Sequence, residues 1–314
     1  MPAEAAPVPS ITLLGPQRNP HVDQVLSDLG ISGRIALVNA GWREREPDDE
    51  LLRDLVGGDA VNLRLWHRMQ EVWDADPEFA DADRHRRQVL EEMQDLYLLG
   101  LGHVDDAIDS LRNHHARSEE VHQMAIQDVE RIMRGMDKAH LARVSQVHAE
   151  FWERWRPHER MAVAAFRELI SHELADVSAV VITGGHVGVL TGALHLFNVA
   201  PRISSPVIAW GAGAMALTDQ IVLFHDRAPH GPSLPEVFST GVGLLNDVVV
   251  FPSARERLDL GNHERMAMMA RRFAPAESLL LEQRARVDVG SDGLLPEGAP
   301  VLQPDGTLKG RGAA

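Results

Sequence analysis

Short, uninterrupted apolar runs constrain the fold of this chain more than any other feature. "ITLL" at 11–14, "RIALVN" at 34–39, "VSAVVITGG" at 177–185, "PVIAW" at 206–210, "QIVLF" at 220–224 and "DVVVF" at 247–251 are each about one strand long. They do not show the strict apolar and polar alternation of a strand with one wet face. Segments with helical spacing lie between them. Such runs are expected to form a mostly parallel sheet buried on both sides. "HVDQVLSDLG", closed by Gly30, reads as a short helix and completes a β-α-β opening.

Between residues 60 and 157 no comparable run occurs, and helical periodicity takes over. Ser118 is a good N-cap followed by Glu119 and Glu120, whose charges suit the positive first turn of a helix. From there Val121, Met124, Val129, Ile132, Met136, Val144, Val147, Phe151 and Trp155 recur at mostly three- and four-residue steps until Pro157. An unbroken helix there would run about 57 Å at 1.5 Å per residue, although Gly135 could bend it. An earlier helix is expected over roughly 84–112, with "NHHAR" as the hairpin turn. The expected organisation is a discontinuous α/β domain over 11–59 and 158–302, a helical insertion over 60–157, and mobile tails at 1–10 and 303–314. Trp66, Trp152 and Trp155 are expected in the hairpin core. So long an apolar stripe exceeds what one hairpin buries, which points to a homo-oligomer built through the insertion.

Charge and composition narrow the partners. With 31 Lys+Arg against 46 Asp+Glu, the formal charge of −15 repels phosphate backbones and anionic bilayers. No nucleic acid and no membrane are therefore expected. The chain has no cysteine, which removes disulfides, thiolate nucleophiles and Cys-ligated metals. "MPAEAAPVPS" has neither a basic n-region nor an apolar h-region, and no run of about 18 uncharged apolar residues occurs. The expectation is a cytoplasmic protein.

The window "PVIAWGAGAMAL" carries the strongest chemical signal. An apolar strand meets a Gly-Ala-Gly-Ala turn and continues as a helix, which is how a nucleophile elbow is written, yet against G-x-S-x-G the central position is Gly211. Two further windows accompany it, "VVITGGHVGVL" and "GVGLLNDVVVFPSARERL". Together with "LVNAGW" these stretches resemble peptidase family S51, the dipeptidase E and cyanophycinase group, related to class I glutamine amidotransferases. The resemblance covers the α/β half and leaves the helical insertion outside. It implies an α/β, flavodoxin-like three-layer sandwich with a mostly parallel sheet, plus the long helical hairpin. It also implies that Gly211 stands at the family's serine and Ser253 at its histidine, and His186 replaces the amide residue after Gly184 and Gly185. The site is then degenerate for catalysis: glycine cannot attack a carbonyl.

Glycine is the bland occupant of an elbow because it adopts positive φ at no steric cost. The amides of Gly184, Gly185 and Ala212, with His186 and Gly211, could still hold an anion or a carbonyl oxygen. A small anionic or peptide-like ligand is the expected partner, with no cofactor. Three readings stay open: a non-hydrolytic binding or assembly protein, an active hydrolase using His186, His225, Asp226 or Ser253, and a purely architectural oligomer. His225 and Asp226 are of interest because they follow the "QIVLF" run, where open α/β sheets bind ligands. Weaker metal candidates are His115, Glu119 and His122, at helical spacing but without a second Glu-x-x-His on another helix; Asp137-x-x-His140 lies on the same one. Glu44, Glu46, Asp48, Asp49 and Glu50 read as a solvated acidic loop, and Arg255 and Arg257 as surface.

Overall fold

The computed structural model describes residues 9–18, 20–226, 233–290 and 292–312. The opening alternates as expected: β1 Ile11–Leu14, α1 Val22–Asp28, β2 Ile35–Val38, a 3-10 turn Ala40–Arg45, α2 Glu50–Leu55 and β3 Ala60–Asn62. Four helices follow, α3 Leu65–Ala75, α4 Pro77–Arg112, α5 Glu119–Trp155 and α6 Met161–Ala175. The chain then runs through β4 Ala179–Ile182, α7 Val187–Leu196, β5 Val207–Trp210, α8 Ala212–Ala216, β6 Ile221–His225 and β7 Ser233–Ser239. It ends with β8 Val248–Pro252, α9 Ala254–Arg257, α10 His263–Phe273, β9 Glu277–Leu281, β10 Arg286–Val289, β11 Pro300–Leu302 and β12 Leu308–Gly310.

The principal sheet has the order β10-β1-β5-β4-β2-β3, parallel throughout except for the β10 edge. Both of its faces are dry, which explains the continuous apolar runs. Along β2, Ile35 and Leu37 join one core with α1 and α2, while Ala36 and Val38 join the other; β4 and β5 divide in the same way. The result is a three-layer α/β sandwich, flavodoxin-like in its layering and with its own strand order. Among the described residues no helix is long and apolar enough to cross a membrane.

Several local expectations need correction. The runs at 220–224 and 247–251 form strands but not in this sheet: β6 pairs antiparallel with β7, and β8 lies in a second sheet of order β12-β11-β9-β8. Apolar content marks burial on both faces and does not name the neighbour strand. β3 falls within the stretch expected to be wholly helical, because three residues are too few for a periodic signal. Residues 308–310, expected to be loose, pair with β11. The tail residues 1–8 and 313–314 lie outside the described residues.

The hairpin itself follows the sequence closely. Ser118 Oγ accepts from the Val121 amide at 3.4 Å at the start of α5, and α5 continues unbroken through Gly135. α4 begins earlier than expected, at Pro77, because Asp76 caps it by accepting from the Phe79 amide at 3.0 Å and Pro77 suits the first turn. Trp152 and Trp155 on α5 pack partly buried against the core, whereas Trp66 belongs to α3.

Candidate functional site

The elbow residue Gly211 leaves β5 at φ 57, ψ −126, and α8 begins at the next residue. That conformation is costly for any residue with a Cβ, and of order 1–3 kcal/mol is needed to hold it. The turn sits at the carboxyl end of β5, flanked in the sheet by β1 and β4. A Cβ at Gly211 would lie 3.3 Å from the Gly184 Cα, so the two glycine turns are in van der Waals contact. Gly213 is required for the approach: its Cβ would come 2.4 Å from the Ile182 carbonyl oxygen.

Two neighbouring loops close on this turn. After β4 the chain passes through Thr183, Gly184 and Gly185 to His186, and the Thr183 amide donates to the Val38 carbonyl at the end of β2 at 2.9 Å. The His186 amide donates to the Gly41 carbonyl at 2.8 Å. A Cβ on Gly185 would come 2.4 Å from that same Gly41 oxygen, so bare backbone is stacked on bare backbone. The His186 ring turns back on its own chain, where Nδ1 accepts from the Val189 amide at 3.2 Å and caps α7. In the neutral ring the hydrogen is then on Nε2. The carboxyl ends of β2, β4 and β5 thus present a cluster of glycine backbone with His186 at its rim.

Arg43 is the residue that sequence reading passes over. It lies two positions beyond Gly41, and its backbone is at φ 59, ψ −126, the same conformation as Gly211 but carrying a full side chain. Its guanidinium is half-exposed, with Glu44 as a long ionic contact at 3.3 Å. A strained non-glycine residue of this kind clusters at binding sites. Nothing in "NAGWRER" could have signalled it, because the strain is imposed by the packing of the loops.

The other candidates stand on β6, β8 and the residues that follow them. Ser253 stands at the end of β8 in the second sheet, in the left-handed region at φ 58, ψ 38, and its amide donates to the Leu281 carbonyl at 2.9 Å. Asp226 follows β6 and accepts from Arg265 Nη2 at 2.7 Å, from Arg265 Nε at 3.1 Å and from the Asp259 amide at 3.1 Å. Its carboxylate therefore ties down the α9–α10 connection. His225 sits beside it at the end of β6. Of the proposed catalytic candidates, His186 follows a strand of the principal sheet, while His225 ends β6 and Asp226 and Ser253 directly follow β6 and β8, two strands that pack against α8. Residues 227–232 lie outside the described residues.

The metal candidates also have other duties. His122 Nε2 donates to the Leu111 carbonyl at 2.6 Å, Glu119 accepts from Gln123 at 2.8 Å, and His115 is exposed in the hairpin turn. Among the described residues no group of three or more His, Asp or Glu stands close enough to hold a metal ion.

The acidic loop is only partly solvated, against expectation. Glu46 is fully buried and accepts from the Trp66 and His67 amides at 3.1 and 3.0 Å, capping α3 from a distance. Asp49 is buried too, bound to Asn62 at 2.9 Å and Arg53 at 2.9 Å. Glu44, Asp48 and Glu50 are exposed.

A second polar cluster joins the hairpin to the α/β body. Asp137 on α5 receives Arg272 Nε at 2.7 Å, Arg272 Nη2 at 2.8 Å and the Tyr97 hydroxyl at 2.7 Å. The Val237 amide donates to that hydroxyl at 3.3 Å. Beside it Gln94 Nε2 donates to Glu236 at 2.6 Å and Gln94 Oε1 accepts from His140 at 2.9 Å, while His140 stacks on Tyr97 with centroids 4.2 Å apart. Burial raises the pKa of Tyr97 and of Glu236 and lowers that of His140, in each case by penalising the charged form. Asp137 and His140, met in the sequence as an incomplete metal motif, are structural partners here. The signal for them was present: polar residues at interior positions of an apolar stripe.

No family model matches this chain, and no curated protein matches it. Among solved structures, the crystal structure of a peptidase from an acI-B1 Actinobacterium matches at 13% identity, covering 96% of this chain and 93% of that one with a TM-score of 0.43.

Proposed function

We propose that the glycine loops at the carboxyl ends of β2, β4 and β5 bind a small anionic or peptide-like ligand, on a scaffold of S51 peptidase and glutamine amidotransferase character, without serine hydrolysis. The observation that carries this reading is the backbone of Gly211, bent as a nucleophile elbow and bare of any group able to form an acyl intermediate. Arg43, held in a strained conformation beside the Gly41–His186 contact, supplies the charge that suits an anion. Ser253 lacks the basicity of the histidine it replaces, and Asp226 is committed to Arg265. The same reading divides the chain into an α/β unit over 11–59 and 158–302 and an insertion over 60–157, whose first residues form β3 and join the principal sheet.

Thermal shift with aspartyl dipeptides, single amino acids and small anions tests it. Stabilisation by members of this set, reduced in Arg43→Ala, is the expected result; no stabilisation by any of them refutes the ligand assignment. A serine-directed fluorophosphonate should leave the wild type unlabelled. Gly211→Ser should stay inactive toward dipeptides and lose about 1–3 kcal/mol of stability, because a Cβ there meets Gly184 and positive φ. Dipeptidase activity in either protein would overturn the non-hydrolytic reading.

A further inference from the structure

The outward face of the α4–α5 hairpin carries an apolar patch whose surroundings identify its cover. Contacts between the two helices set their register: Tyr97 meets Asp137, Gln94 meets His140 and the Leu111 carbonyl meets His122. Leu99 is therefore level with Gly135, and Ile132 is level with Gly102. At 3.6 residues per turn, Leu96 and Leu99 project away from the side of α4 that buries Tyr97, Leu101 and Ile108, and Ile132 projects away from the side of α5 that buries Ile126, Met133 and His140. Leu96 and Leu99 are each 63% exposed and Ile132 56%. Val121 and Met124 extend the patch toward the hairpin tip.

Charge is segregated across this patch. From residue 91 to 109 every exposed charged residue of α4 is acidic: Glu91, Glu92, Asp95, Asp106 and Asp109. From 128 to 143 the exposed charges of α5 that are not bound to the α/β body are Arg131, Lys138 and Arg143, with Asp128 as the one acid. Two copies meeting face to face about a two-fold axis along the hairpin place α4 of each on α5 of the other. An axis across the hairpin would instead stack acid on acid. In the first arrangement levels are preserved, so Glu92 and Asp95 of one copy approach Arg143 and Lys138 of the other, and Asp106 with Asp128 is the like-charged pair that comes level.

We infer that this face is a homodimer interface, an antiparallel four-helix packing of two hairpins with α4 of one protomer seated on α5 of its partner. The stretch that carries the patch and its charges measures about 33 Å along the helices and about 20 Å across two of them, roughly 700 Å2, close to the about 800 Å2 per partner of a specific complex. It is also presented on a fixed support. Arg272 grips Asp137, Arg271 pairs with Glu130, and Arg134 donates to the Ala274 carbonyl at 2.9 Å, all holding α5 against α10. The inference is independent of the glycine-loop site.

Sedimentation velocity on the full chain decides it. A dimer is expected, weakened by added salt because the flanking charges are exposed. Leu99→Glu and Ile132→Glu should each raise the dissociation constant by about ten-fold or more, with the circular dichroism and thermal midpoint of a folded chain. Lys138→Glu with Arg143→Glu should weaken the dimer similarly, and adding Glu92→Lys and Asp95→Lys should restore it. A wild type that stays monomeric up to about 100 μM, where an interface of this size is expected to be populated, overturns the inference. So does a dimer indifferent to Leu99→Glu and Ile132→Glu, or a four-fold charge swap that fails to restore association.

Discussion

Acidification should loosen the hairpin from the α/β body, with His148 contributing a measurable share. This histidine lies on α5 with Nδ1 3.4 Å from Arg86 Nη1 of α4, and that guanidinium rests 4.3 Å from the centre of the Phe151 ring and binds Asp83. Burial is the main cause that lowers His148 from 6.5 to about 4, helped by the Arg86 charge and by His195 of α7. His195 is lowered as well, again chiefly by burial. A group depressed in the folded state contributes stability that is whole above its unfolded value and is lost as pH falls through its folded one. At 1.36 kcal/mol per decade the His148 contribution is roughly 3 kcal/mol, of which about 2 kcal/mol is lost by pH 5. Urea unfolding followed by tryptophan fluorescence at pH 7.5 and pH 5 measures it, in wild type and in His148→Leu. The variant should lose about 2 kcal/mol less than the wild type between the two pH values, which isolates His148 from the other histidines. An equal loss in both proteins would refute the reasoning.

Two further perturbations test the remaining structure. Asp137→Asn leaves the Arg272 guanidinium buried and unpaired, and should cost about 3–5 kcal/mol in urea unfolding; the double variant Asp137→Leu with Arg272→Met should cost clearly less than the two single losses added together. Arg43→Gly removes the backbone strain at φ 59, and is expected to leave stability unchanged or raised by about 1 kcal/mol while ligand-induced thermal stabilisation falls; a loss of stability would mean that the arginine is held for packing and not for binding.

Much of the architecture was legible in the order of residues, because local physics sufficed. Uninterrupted apolar runs located β1, β2, β4, β5, β6 and β8, and a serine cap followed by a regular apolar stripe located α5 almost to the residue. The Gly-Ala-Gly-Ala turn announced a positive φ at residue 211, since glycine is the residue that adopts it without penalty. Those signals depend on neighbours within a few positions. What depends on distant neighbours was decided by the tertiary structure: that β6 and β8 leave the parallel sheet, that Glu46 is buried as a remote cap, that Arg43 shares the strained geometry of Gly211, and that Asp137 and His140 lock the hairpin to α10 and β7. Hydrogen bonding and burial between residues more than a hundred positions apart, as in Asp137 and Arg272, leave no periodic trace in a chain. The sequence alone determined which segments could be dry on both faces and where the backbone had to turn; only the packed molecule decided which polar side chains those dry surfaces would enclose, because enclosing a charge is tolerable only where a partner from elsewhere in the fold arrives to meet it.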